Sequence, residues 1–208
     1  GTLNDLIFTK LSLSDFNQTQ IIGDIHFKNI LAKPGKGDFY MNGSFDKLAS
    51  TYTELVQLLP NVLGKNLPTS LKKLGKFNLA GDVELTKKYI KTDFVLNTQL
   101  GQVLSSLEMT NIDFIDNASY SGKVALNNFD LGKFINDNKL GKITVDAVIN
   151  GKGFIEKYLD TEFEGTIKKV YYNNYYYQNI LCEGNFKKPI FNGKVSVNDP
   201  KLFLDCEG

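Results

Sequence analysis

Arginine and tryptophan are absent from the 208-residue chain, and histidine occurs once, as His26. Because bidentate binding of phosphate and carboxylate groups depends on the guanidinium fork, the lack of arginine argues against a clamp of that kind. The 24 basic residues, all lysine, are nearly balanced by 23 acidic residues, giving a net charge of +1. Nucleic-acid binders concentrate basic charge on one surface, so the composition predicts no nucleic-acid partner.

The chain is also poor in residues that carry catalysis. Any Ser-His or Cys-His relay would have to use His26, which lies beside Asp24 on the expected polar face of a strand. One histidine and two cysteines form no zinc spacing. Asp160, Glu162 and Glu164 alternate along one strand, where they are either calcium ligands or a solvated face. We therefore predict no catalytic residue, no metal, no cofactor and no enzymatic activity.

Long hydrophobic runs and a signal peptide are missing as well. No stretch approaches the roughly 18 consecutive apolar residues that a membrane-spanning helix needs. We expect a soluble piece of a longer protein, with targeting and anchoring segments outside it.

The two cysteines, Cys182 and Cys206, stand in matching Cys-Glu-Gly triads. A strand between them, from Ile190 to Val197, would separate their backbones by about 9–10 Å in a simple meander. That distance is too long for a disulfide, so we predict two buried free thiols.

A recurring pattern is an apolar residue, one other residue and then a glycine. Because side chains alternate across a strand, these glycines fall on the apolar face. The glycines are Gly23, Gly43, Gly81, Gly122, Gly151, Gly165, Gly184, Gly193 and Gly208. Glycine on that face is typical of a sheet that bends sharply or is approached closely.

Segments of alternating polarity fill most of the chain, as in 77–85, 90–96 and 143–149. One apolar and one polar face excludes a parallel α/β sheet and favours antiparallel structure. A transmembrane barrel would put the apolar face outside, and a helical interruption argues against it. The predicted fold is mainly β, an elongated curled antiparallel sheet or β-groove with an apolar concave interior, residues 1–208 being a fragment of one repetitive domain. Periodicity leaves open which strand face lines a groove.

A short amphipathic helical insertion is predicted at residues 50–75. Thr51 and Glu54 have capping-box spacing, and Pro60 should end or kink the first helix. A second helix would begin at Pro68 and stop at Gly75. This hairpin either caps one end of the sheet or gates an apolar channel. Its apolar positions are Leu55, Leu58, Leu59, Leu71 and Leu74.

Two shorter elements are also expected. A third helix should start at Asp130 and include Leu131, Phe134 and Ile135. Five tyrosines surround Asn173 and Asn174, which suits a tight hairpin turn with positive φ and cross-strand aromatic pairs. Sugar stacking or a partner surface is the alternative role for these tyrosines.

These segments resemble the β-repeats of the AsmA/TamB family of translocation and assembly module proteins. The resemblance is carried by residues 170–184, by Phe191-Asn-Gly193 and by 199–208, together with the earlier Leu-Leu-Pro and Leu-Pro run at 58–68 and Phe77-Leu79-Gly81. It implies a β-taco groove in the periplasm, within a protein anchored in the inner membrane of a Gram-negative envelope. It also implies phospholipid transport between the two membranes and an outer-membrane β-barrel partner of the BamA type, contacted through regions outside this chain.

We therefore expect a non-enzymatic conduit that shields phospholipid acyl chains. Its predicted lining is Leu79, Gly81, Val83, Phe94, Leu96, Tyr120, Gly122, Val124, Val145, Ile149, Phe163 and Ile180. The alternatives are a scaffold for outer-membrane protein assembly by β-augmentation, and a single-lipid carrier with a closed cavity. We further hypothesise that the inward glycines hold the groove open, so that leucine at Gly81 or Gly122 would reduce lipid occupancy more than stability.

Overall fold

The computed structural model describes residues 4–16, 18–30, 38–58, 69–155, 157–187 and 190–208. Within these ranges the chain is mainly β, with twelve strands, two short α-helices and two 3₁₀ helices. The strands are β1 (Asp5–Phe16), β2 (Thr19–Lys28), β3 (Tyr40–Thr51), β4 (Lys76–Thr86), β5 (Tyr89–Thr98), β6 (Gly101–Thr110), β7 (Ser119–Asp130), β8 (Leu140–Lys152), β9 (Asp160–Tyr172), β10 (Tyr175–Lys187), β11 (Ile190–Asp199) and β12 (Leu202–Glu207).

All the described strands belong to one antiparallel sheet in which each strand pairs with its neighbours in sequence. The sheet is open, with β1 and β12 as its two edges. This arrangement confirms the predicted mainly-β antiparallel fold and fits a curled sheet. It does not have the closed wall that a single-lipid carrier would need.

The register of the strands defines two faces. One row runs from Phe45 through Gly81, Phe94 and the middle strands to Cys206, and its side chains share what we call the apolar face. The alternating residues, such as Asp82, Asp93 and Glu183, form the opposite, polar face. The one-sided alternation of the sequence therefore becomes a sheet with one packed side and one wet side.

Two hydrophobic clusters fill the apolar face. The first joins strands β1 to β6 with residues from their connections, and its buried members are Ile25, Phe39, Met41, Phe45, Leu48, Phe77, Leu79, Leu85, Ile112 and Ala118. The second is centred on β8 and β9, and its buried members are Ile143, Val145, Ala147 and Val170. Buried hydroxyl groups on this face bond to each other, as Thr92 Oγ1 does with Ser105 Oγ at 2.8 Å.

The helical insertion begins where it was predicted. Helix α1 (Tyr52–Leu58) follows β3 directly, and the hydroxyl of Thr51 accepts a hydrogen bond from the Glu54 N–H at 3.3 Å. Instead of closing the capping box, the Glu54 carboxylate accepts a hydrogen bond from the buried Thr19 hydroxyl at 2.6 Å. Thr19 also bonds Ser50, so this contact ties the start of the helix to the β1–β2 end of the sheet.

The second part of the insertion is a 3₁₀ helix, Thr69–Leu74, that ends at Gly75. Gly75 has φ +67°, which suits glycine after a helix. Residues 59–68, with Leu59, Pro60 and Pro68, and the side chain of Leu58 lie outside the described residues, so the link between the two helices stays a prediction. Residues 50 and 51, predicted as helical, are instead the end of β3 because they pair with β4.

Two smaller predictions are confirmed. Helix α2 (Leu131–Ile135) begins after Asp130, whose carboxylate accepts a hydrogen bond from the Lys133 N–H. Asn173 and Asn174 form the β9–β10 turn with φ values of 47° and 67°. The remaining described helix is the 3₁₀ segment Ile112–Asn117, which covers the first cluster between β6 and β7.

Candidate functional site: the two faces of the sheet

The predicted groove positions all fall on the apolar face, but most of them are packed. Leu79, Val83, Phe94 and Leu96 belong to the first cluster. Val124, Val145, Ile149, Phe163 and Ile180 belong to or pack against the second cluster. Tyr120 is buried, and its hydroxyl donates to the Gly153 carbonyl at 3.2 Å. The interior of the sheet is therefore filled by its own side chains over the central strands.

The two remaining predicted positions are glycines whose backbone demands glycine. Gly81 has φ +127°, and a Cβ there would lie 2.3 Å from the Asp93 carbonyl oxygen on the next strand. Gly122 has φ +139°, and its Cβ would lie 2.2 Å from the Ser106 carbonyl oxygen. These glycines allow close approach of neighbouring strands. That role replaces the hypothesis that they hold a groove open.

Phenylalanine rings cover other glycines of the pattern. A Cβ at Gly43 would lie 2.5 Å from the Phe45 ring, and one at Gly193 would lie 2.8 Å from the Phe191 ring. The ring two residues along the same strand thus occupies the space that the missing side chain leaves. The pattern fills the apolar face rather than emptying it.

The cover of the apolar face weakens toward β12. Leu79 on β4 is 8% exposed, whereas Leu204, in the same cross-strand row on β12, is 42% exposed. Cys206 is exposed too, which contradicts the predicted burial of both thiols. The apolar face is therefore accessible at this end of the described sheet.

A large concavity opens on the polar face. It has a volume of about 980 Å³ and crosses strands β4 to β11. Its apolar side chains are Ala80, Val95, Leu104, Ala125, Val148 and Leu181. These alternate with the residues of the apolar face, so the concavity lies on the side that the sequence marked as solvated; we call it the polar-face trough.

The trough was not predicted because only the apolar residues on one face of each strand were considered. Its signal is present as short uninterrupted apolar runs, 94–96, 103–104, 147–149 and 180–182. In such runs both faces of a strand are apolar. Gly81, Phe94 and Val124 are the predicted lining residues that border the trough.

The cysteines are unpaired, as predicted. Cys182 on β10 and Cys206 on β12 both lie opposite Val195 on the strand between them. Burial raises the pKa of the Cys182 thiol. This shift keeps Cys182 protonated near neutral pH and lowers its reactivity.

Polar side chains outside the trough have structural partners. His26 Nε2 lies 2.5 Å from Asp5 Oδ1 on β1, and Asp24 accepts a hydrogen bond from the Lys10 N–H. Asp199 is buried and accepts hydrogen bonds from the Tyr175 hydroxyl at 2.8 Å and from the N–H groups of Gln178 and Lys201. In the described part of the chain, no three or more His, Cys, Asp or Glu residues are placed to bind a metal ion.

The tyrosine hairpin forms one predicted cross-strand aromatic pair, Tyr171 with Tyr176, and a contact within β10 between Tyr175 and Tyr177. Tyr171 and Tyr176 have ring centroids 4.9 Å apart, and Tyr175 and Tyr177 are 4.8 Å apart. The Lys169 ammonium lies 4.4 Å from the Tyr176 ring. Internal contacts therefore account for these rings.

Among the described residues, none of the helices has the length and hydrophobicity required to span a bilayer. Comparison of the chain with models of known protein families, with curated proteins and with solved structures gave no match.

Proposed function

We propose that the chain is a segment of a periplasmic β-groove that shields phospholipid acyl chains during transport between the inner and outer membranes. The observation that carries this proposal is the apolar face that crosses all twelve described strands and becomes accessible at β12, where Leu202 and Leu204 are 39% and 42% exposed. An isolated apolar strip of this kind is an aggregation hazard unless something covers it. Acyl chains provide a cover that requires no directional polar group.

The energy of such a contact is sufficient without a specific site. Burying one methylene group stabilises a complex by about 0.8 kcal/mol. A 16-carbon chain lying along β12 would gain at most on the order of 10 kcal/mol, if it were fully buried, before the cost of ordering it. The proposal therefore involves neither catalysis nor a cofactor.

The cellular setting is part of the proposal and is supported by the sequence resemblance. The segment would belong to an inner-membrane-anchored protein of a Gram-negative envelope. An outer-membrane barrel of the BamA type would be contacted by other regions of that protein. Envelope biogenesis is the process in which the segment would act.

The test is photo-crosslinking from adjacent positions that point to opposite faces. A benzophenone amino acid replaces Leu202 or Leu204 on the apolar face of β12, and the matched controls are Phe203 and Asp205, which alternate with them on the polar face. We expect phospholipid adducts, identified by mass spectrometry of the natively purified protein, from the first pair only. Lipid-free protein, or equal adducts from both faces, would refute the proposal.

The second candidate function is a scaffold that offers a sheet edge to barrel strands during outer-membrane protein assembly. The specific observation is β12, an edge strand whose Phe203 is 77% exposed. Unpaired backbone groups at such an edge can pair with an added strand. An edge binder would retain barrel-strand peptides and remain free of lipid, and substitution of Leu204 by proline would abolish peptide capture.

A further inference from the structure

The polar-face trough carries acidic residues in an arrangement that is unfavourable in the isolated chain. Asp82 on β4 lies directly opposite Asp93 on β5, and Glu164 on β9 lies directly opposite Glu183 on β10. Like charges at facing positions of an antiparallel pair destabilise it. All four carboxylates are on exposed residues; Asp93, Glu164 and Glu183 line the trough, and Asp82 pairs with Asp93 from outside that lining.

The basic residues nearby leave this charge only partly balanced. Lys194 lies opposite Glu183, but its ammonium pairs with Glu207 at 3.6 Å. Lys168 pairs with Asp146. The charged residues lining the trough are Asp93, Asp146, Glu164, Glu183, Lys123 and Lys194, which is an excess of acids.

Ser106, Lys123 and Val148 lie in the cross-strand row that joins the two acidic pairs, and the apolar part of the floor is mainly in the neighbouring row. Val95 and Leu104 face each other across β5 and β6, and Val148 lies farther along the trough. Leu104, Val148 and Leu181 are exposed although they are large hydrophobic residues. A ligand that is complementary to an apolar floor with acidic borders has one apolar side and basic groups at its ends.

The backbone of the sheet decides the conformation of that occupant. Strands β4 to β11 are each paired on both sides, so they have no free edge for an added strand. An extended peptide lying across them would bury backbone groups without partners. A helix satisfies its own backbone, and phospholipid headgroups would place phosphate against carboxylates.

We propose that the polar-face trough binds a basic amphipathic α-helix of a partner protein. The distance from Asp93 on β5 to Glu164 on β9 is four strand steps, roughly 19 Å. A helix rises 1.5 Å per residue, so about 13 residues span that distance, with lysine or arginine near both ends. This surface is on the opposite side of the sheet from the proposed lipid-contacting face and does not depend on it.

The experiment measures fluorescence anisotropy of a labelled 18-residue peptide of leucine and lysine with helical periodicity, titrated with the full chain. The control peptides are a scrambled sequence of the same composition and a leucine–glutamate helix. We expect the first peptide to bind and both controls to bind at least roughly tenfold more weakly. Equal binding of either control would overturn the proposal.

Four variants of the chain test whether the Leu–Lys peptide binds in the trough. Leu104→Asp should weaken the Leu–Lys peptide at least roughly tenfold, and Glu183→Gln should weaken it roughly threefold. Leu204→Asp on β12 and Glu84→Gln, on the polar face outside the trough, are the matched controls and should leave binding unchanged. Because Glu183→Gln removes a like-charge contact, it should preserve or raise the melting temperature while it weakens binding. Undiminished binding by Leu104→Asp, or losses equal to those of the controls, would overturn the proposal.

Discussion

Strands β1 to β6 and strands β7 to β12 follow the same alternating pattern, yet they bury it to different degrees. Within the described residues, the first cluster contains ten buried hydrophobic residues and the second contains four. Half of this difference arises from the connections, because Phe39, Ile112 and Ala118 lie outside the strands and pack onto the first half. Alternation therefore makes a face apolar, and the connecting segments help decide how much of that face becomes a core.

The largest expected effect tests a glycine in the packed half against one at the open edge. Gly81→Leu should destabilise the fold by roughly 3 kcal/mol or more, because its φ of +127° is unfavourable for other residues and its Cβ meets the Asp93 carbonyl. Gly208→Leu is the matched control, since nothing lies within 4 Å of its Cβ. Urea denaturation measures both free energies of unfolding, and equal small losses would contradict the close strand approach at Gly81.

Truncation of leucine in one cross-strand row sharpens the comparison further. Leu79→Ala should cost about 2–5 kcal/mol, as is usual for a buried leucine. Leu204→Ala, at the other end of the row, should cost less than about 1 kcal/mol because the side chain is already partly in solvent. Chemical denaturation measures the loss in free energy of unfolding for each variant. Similar losses would mean that β12 is covered in solution.

The Asp199 carboxylate makes a pH-dependent contact between β10 and β11. Burial by itself would raise the pKa of Asp199, but hydrogen bonds from Lys201, Tyr175 and Gln178 outweigh it and lower that pKa. A lowered folded-state pKa stabilises the protein above the unfolded value of about 3.9, and this stability is lost as the pH falls through the folded-state pKa.

The Asp199→Asn variant should therefore have a lower melting temperature than the natural chain at pH 7, and the gap should narrow toward pH 3. Asp205→Asn, at an exposed position of β12, is the control and should show no such gap. If the difference in melting temperature between the two proteins does not change with pH, the ionised form of Asp199 is not the form that stabilises the protein.

The smallest effect distinguishes the two thiols. Cys206 is exposed, whereas burial raises the pKa of Cys182, so a thiol reagent at pH 8 should modify Cys206 first. Mass spectrometry of the partly labelled protein shows which thiol is modified first, and the Cys206→Ser variant is the control. Faster labelling of Cys182 would place the opening of the sheet at β10 instead of β12.

The sequence predicted most of the fold because its signals are local. Alternation predicted the strands, Asn173-Asn174 predicted a turn, and the spacing of Cys182 and Cys206 predicted that a strand separates them. These features depend on neighbouring residues and on a period of two.

The candidate sites were less predictable because they depend on register and curvature. The Glu164–Glu183 pair becomes visible only when β9 and β10 are aligned, and Thr19 meets Glu54 only once β3 leads into α1. Alternation identifies two faces but carries no information about which one is concave. For that reason the predicted lining residues were assigned to the apolar face, while the trough lies on the polar face.

The strictly sequential pairing of the strands has a consequence for folding. Since each described strand pairs only with its neighbours in sequence, the sheet behaves as a nearly one-dimensional array, and opening can begin at one edge without disturbing distant strands. Amide protection against hydrogen exchange should then rise stepwise from β12 toward the first cluster, because the sheet opens from the β12 edge. Evolution could lengthen or shorten such a sheet by whole hairpins while leaving the remaining register intact.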